Sequence, residues 1–76
     1  FHKVKDYKIK TSDTTDALKN EMEAFFESHE ISYRCVKMNK ENNEAIYVYR
    51  IGAPKDDYDI VNEFLLKHKS INSFDI

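Results

Sequence analysis

Two segments of this 76-residue chain repeat apolar residues at helical spacing, and each is flanked by segments in which apolar and polar residues alternate. Leu18, Met22, Phe25 and Phe26 stand at i, i+4, i+7 and i+8, one face of a helix of about four turns. Lys19, Glu21, Glu23 and Glu27 are left toward solvent, and the helix is expected to end near Ser28 and His29. Tyr58, Val61, Phe64, Leu65 and His68 make a second stripe of the same kind, with Ile60 beside it.

The helix starts carry their own chemistry. Ser12-Asp13-Thr14-Thr15-Asp16 offers several side-chain oxygens for the free N–H groups of a first turn, and its carboxylates suit the positive end of a helix. Gly52-Ala53-Pro54 stops the preceding strand, after which Asp56 or Asp57 can serve the second helix. Lys67, His68 and Lys69 suit its negative end.

Four strands are expected around these helices. From Val4 to Thr11, Tyr7 and Ile9 fall on one face and Asp6, Lys8 and Lys10 on the other. Ile31 to Cys35 alternates, but Val36 and Met38 fall out of phase, which predicts a bulge or twist near Cys35. The polar run Asn39 to Glu44 separates this strand from Ala45 to Ile51, the strongest strand former in the chain. Ile71 to Ile76 closes the order, with Phe74 and Ile76 inward.

Each helix has one apolar stripe and each strand one apolar face, so both helices are expected on one side of a four-stranded sheet. With right-handed crossovers, β-α-β-β-α-β closes into the ferredoxin-like arrangement, an α+β fold with strand order 4-1-3-2. One domain is expected over residues 1–76, because the chain is near the lower limit for a single apolar core.

Tyr7, Ile9, Ile46 and Val48 are taken as the inward set. Lys8, Lys10, Tyr47 and Tyr49 then share the uncovered sheet face, the expected partner-binding surface. Exposed tyrosines bury much area while losing few rotamers. Homodimerisation through that face or an edge strand is therefore the leading mechanism. The same residues could stack bases, but no nucleic acid partner is expected. The net charge is −2, and Ala45 to Ile51 lacks the Gly/aromatic signature of RNA-recognition strands.

Catalytic and cofactor chemistry finds little support. With one glycine there is neither a nucleophile elbow nor a phosphate loop. His2, His29, His68 and Cys35 have no metal-ligand spacing, and Asp13, Asp16, Asp56 and Asp57 read as helix caps rather than as a calcium loop. No enzyme, cofactor or metal is expected. Cys35, the single cysteine, excludes an intramolecular disulfide and suits a reducing compartment. No apolar run is long enough to span a membrane, and the start at Phe1 rather than Met suggests a piece of a longer protein.

The strand Tyr7 to Lys10, the hairpin Tyr33 to Ile51, the helix Tyr58 to His68 and the closing Ser70 to Ile76 resemble an ACT-like regulatory domain, most of all the soluble C-terminal domain of MgtC/SapB-type membrane proteins. That resemblance implies a regulatory, transport-associated module that pairs with itself or with the rest of its parent protein. It would meet the membrane only through the parent chain, on the cytoplasmic side of an inner membrane. It also implies a ligand turn at Ser12, Asp13, Thr14 and Thr15, where amino-acid-binding relatives commonly carry a glycine and this chain has none. A small-ligand sensor is the alternative reading.

Overall fold

The computed structural model describes residues 3–76 and has the element order β1 (Val4–Thr11), α1 (Ala17–Ser28), β2 (Ser32–Lys40), β3 (Ala45–Gly52), α2 (Lys55–Lys67), β4 (Ile71–Asp75). The strands form one antiparallel sheet in the order β2-β3-β1-β4, the ferredoxin-like α+β topology. His2 lies outside the described residues.

Helices and sheet meet along a layer rich in aromatic side chains. Leu18, Met22 and Phe26 of α1 and Tyr58, Val61 and Leu65 of α2 are buried against Tyr7 and Ile9 of β1 and Tyr47, Tyr49 and Ile51 of β3. Phe26 meets the Tyr49 ring edge-on at 5.7 Å, and Tyr7 stacks between Tyr58 at 6.4 Å and Phe74 at 6.3 Å. Burying side chains of this size contributes about 1.5–3 kcal/mol each. At the chain end, Ile76 follows β4 rather than extending it and is 63% exposed, so Phe74 alone carries the inward role expected of that pair.

Strand β2 is longer than its sequence suggests. Asn39 and Lys40 pair with Ile46 and Ala45, and the turn shrinks to Glu41 through Glu44, closed by the Glu41 N–H donating to the Glu44 carbonyl at 2.8 Å. Polar residues extend the strand because it lies at the sheet edge, where side chains face water and only one side of the backbone needs partners. Its register shifts between Cys35 and Lys37, so Val36 occupies a bulge and the alternation changes phase there, as the sequence predicts.

Helix α1 ends without glycine. The Ile31 N–H donates to the Phe26 carbonyl at 2.8 Å and the Glu30 N–H to the Glu27 carbonyl at 3.1 Å, the paired bonds of a Schellman termination. The motif places Glu30 in the left-handed region at φ 56°. A Cβ is unfavourable there, whereas buried Ile31 beside Phe26 supplies the apolar contact that usually accompanies this ending. Glu30→Gly is expected to raise stability by about 0.5–1 kcal/mol, after subtracting the greater freedom of glycine in the unfolded chain. Urea denaturation should show a higher midpoint with an unchanged slope.

Candidate interaction face

The sheet has one face under the helices and one uncovered. Directly opposed residues of antiparallel strands share a face, so the pairings settle its membership. Lys8 opposes Val48 and Lys10 opposes Ile46, while Asp6 opposes Arg50. On the outer strands Arg34 opposes Arg50, Lys37 opposes Val48, Ser73 opposes Lys10 and Asp75 opposes Lys8. The uncovered face is therefore Ile46 and Val48 at the centre, ringed by five cations and two carboxylates.

Lys8 and Lys10 stand where the sequence places them, but Tyr47 and Tyr49 do not. Both tyrosines are 0% exposed beneath the helices, and Ile46 and Val48 take the outward positions. For Tyr49 the physical reason is its polar tip, and Tyr47, two residues away on the same strand, shares its face. The Tyr49 hydroxyl donates to Glu23 of α1 at 2.7 Å, and the Tyr7 hydroxyl donates to Asn62 of α2 at 2.8 Å, so long phenols span the layer and end on helix polar groups. Arg50 carries the signal that decides the phase: it shares parity with Ile46 and Val48, so turning those two inward would bury an arginine in the core.

Electrostatics differ between the paired and free cations of this face. The Arg50 guanidinium grips the Asp6 carboxylate through Nε at 2.9 Å and a terminal nitrogen at 3.2 Å, holding the Asp6 carboxyl below its ordinary value. Among the described residues, Lys8, Lys10, Arg34 and Lys37 make no ion pair. Four unneutralised cations around two β-branched apolar residues constitute a surface suited to an anionic partner with an apolar contact of its own.

The turn from Ser12 to Thr15 is occupied by its own chain. Asp13 Oδ1 accepts from the Thr15 N–H at 2.8 Å and from the Thr15 hydroxyl, and Oδ2 accepts from the Leu18 N–H at 2.9 Å. Thr11 Oγ1 accepts from the Asp13 N–H at 3.0 Å, and the Asn72 amide donates to Ser12 Oγ at 2.9 Å. Lys40 reaches Asp16 at 2.5 Å, tying the hairpin end to the helix start. The carboxylate of Asp13 thus fills the anion position at the start of α1, and Thr14 has no part in these bonds.

A groove of about 400 Å³ between the helices is lined by Phe25, His29, Ile60, Glu63, Phe64, Lys67 and His68. Phe25 and Phe64 stack at 4.2 Å across it. The Ser70 N–H donates to His68 Nδ1 at 3.1 Å, which leaves Nε2 to donate to Glu21 at 2.8 Å. The sequence stripes contain Phe25, Phe64 and His68 but do not show that these rings meet across the two helices. Cys35 is half-buried, its thiol directed to the Lys37 carbonyl at 3.4 Å across the bulge. Among the described residues, no three His, Cys, Asp or Glu side chains converge as metal ligands, and no helix is long and apolar enough to cross a membrane.

Two predictions follow the chemistry of these side chains. The bonds from Thr15 hold the Asp13 carboxyl below its ordinary 3.8, with the Leu18 N–H adding to them. A depressed folded value means that this stabilisation is complete above the unfolded value and is lost as pH falls through the folded one. Asp13→Asn should therefore lower the melting temperature at neutral pH, and the gap from the parent should close as pH is taken below 3.8. The tyrosines differ in the same way as their partners. The Tyr47 hydroxyl is buried without a protein partner, whereas Tyr49 is bonded to Glu23. Tyr49→Phe should cost about 1.5–3 kcal/mol and Tyr47→Phe about 0.5 kcal/mol or less, measured by chemical denaturation.

No family model matches this chain, and no curated protein matches it either.

Proposed function

We propose that this chain is a non-catalytic regulatory or oligomerisation module that uses its open sheet face to dock an acidic polypeptide surface. The observation that carries the reading is the group of four cations, Lys8, Lys10, Arg34 and Lys37, that make no ion pair among the described residues and surround Ile46 and Val48 on the uncovered face. Charges of one sign at the rim steer and orient a partner of the other sign, while the apolar centre excludes water on contact. The ACT-like resemblance supports a regulatory role. On that resemblance alone rests the further proposal that the module belongs to a larger, transport-related membrane protein and works on its cytoplasmic side.

An acidic polypeptide suits this face better than RNA does. Base stacking contributes about 1–3 kcal/mol per base in single-strand binders, and it needs aromatic side chains on the surface. Here Tyr47 and Tyr49 are turned inward. A sensor pocket at Ser12 to Thr15 is disfavoured by the Asp13 carboxylate already bonded there.

Titration with a glutamate-rich helical peptide at low salt tests the reading. Binding should weaken about tenfold or more in Lys8→Glu/Lys37→Glu and should fall with rising salt, while Tyr47→Phe leaves it unchanged. Equal binding by the charge-reversed protein would overturn it, and tighter binding of mixed single-stranded RNA than of the peptide would replace it with the nucleic-acid reading.

A further inference from the structure

The helical layer carries the opposite charge to the sheet face. Seven carboxylates and three lysines lie within α1 and α2, against the five cations and two carboxylates of the open face. Each surface also has an apolar centre: Ile46 and Val48 on the sheet, and the stacked Phe25 and Phe64 with Ile60, which is 40% exposed, on the helices. We infer that the acidic surface docked by the sheet face is the helical layer of a second copy of this chain, arranged head to tail. The inference rests on the reading of the sheet face as a dock for acidic polypeptide.

Charge decides among the possible pairings. Sheet face against sheet face would bring Lys8, Lys10, Arg34 and Lys37 against the same cations of the partner, and helix layer against helix layer would oppose carboxylates. Only the crossed pairing matches signs, and like-charge juxtaposition selects strongly against the other two. The molecule extends 39 × 22 × 19 Å, so either broad face is of the order of the ~800 Å² that a standard interface takes from each partner. A head-to-tail contact leaves one free face of each kind on every pair, so association continues past the dimer unless the rotation closes a ring.

Sedimentation of two complementary charge reversals tests this arrangement. Lys8→Glu/Lys37→Glu alters only the sheet face, and Asp59→Lys/Glu63→Lys only the helical layer. At about 50 mM salt the parent protein should form species larger than a dimer that dissociate at about 300 mM salt. Each reversed protein alone should associate about tenfold or more weakly. Mixed together, the two should form complexes that neither forms alone, because the intact sheet face of one meets the intact helical layer of the other. The neutral pairs Lys8→Gln/Lys37→Gln and Asp59→Asn/Glu63→Gln, checked by thermal melting, give the same directions if a reversed protein folds poorly. A parent that stops at a dimer, or variants that do not pair when mixed, would overturn the head-to-tail contact. A monomeric parent that still binds the glutamate-rich peptide would overturn self-docking and leave the sheet-face reading standing, whereas loss of both removes the two together.

Discussion

The structure depends on how tyrosine fills the space between helices and sheet. A phenol is long enough to cross that layer and polar only at its tip, so it is stable there when the tip meets a partner on the far side. Tyr7 reaches Asn62 and Tyr49 reaches Glu23, while from the helix side Tyr58 shares its hydroxyl proton between the Ile51 carbonyl at 2.8 Å and the Lys3 carbonyl at 2.5 Å. Glu23 is half-buried, and burial acts to raise its carboxyl. The bonds from Lys19 and Tyr49 outweigh burial and hold it below the ordinary range. Burial, together with the same bond, raises the Tyr49 phenol far above its ordinary value, so it stays a donor.

That arrangement fixes the phase of β3, and the phase of β3 fixes the surface. With Tyr47, Tyr49 and Ile51 inward, the opposite parity lies on the open side, which puts half-buried Ile46 and Val48 there beside exposed Arg50. A shift of one residue would exchange the two sets completely. It would present tyrosines to a partner and ask the core to accept an arginine. The character of the open face, apolar in the middle and cationic around it, is thus a consequence of core packing.

The order of the elements was legible in the sequence because helical and strand periods alternate along it. The capping run Ser12 to Asp16 marks where α1 begins, the stripe of Leu18, Met22 and Phe26 marks its buried face, and the phase change after Cys35 marks the bulge. The site was only partly legible. Ala45 to Ile51 is apolar on both faces, so alternation alone leaves its parity open, and the parity expected for it is the reverse of the observed one. Hydrophobicity ranks transfer from water, whereas the core position depended on side-chain length and a hydrogen-bond partner on another element, neither of which is local in sequence. The charge of Arg50 held the local information. The cationic ring was invisible for a different reason: Arg34 and Lys37 join Lys8 and Lys10 only after strand order and register bring β2, β3 and β1 together.

The edges of the sheet explain why a partner is better sought on the face than along a strand. β2 is nine residues long and lies at an edge, so its outward backbone groups could template another strand. The bulge between Cys35 and Lys37 interrupts that template near its middle, and charged side chains at Arg34 and Lys37 flank it. At the other edge β4 is short, with its own register shift opposite Lys10 and Thr11. Both edges are therefore poor surfaces for strand addition. The open face has the opposite properties, since Lys8, Lys10, Arg34 and Lys37 make no ion pair within the described structure. Replacing them removes no internal ion pair, whereas replacing Tyr49 disturbs the core and the Glu23 bond at once. Interaction and stability consequently reside in different residues of the same strands, and β3 separates them by parity alone.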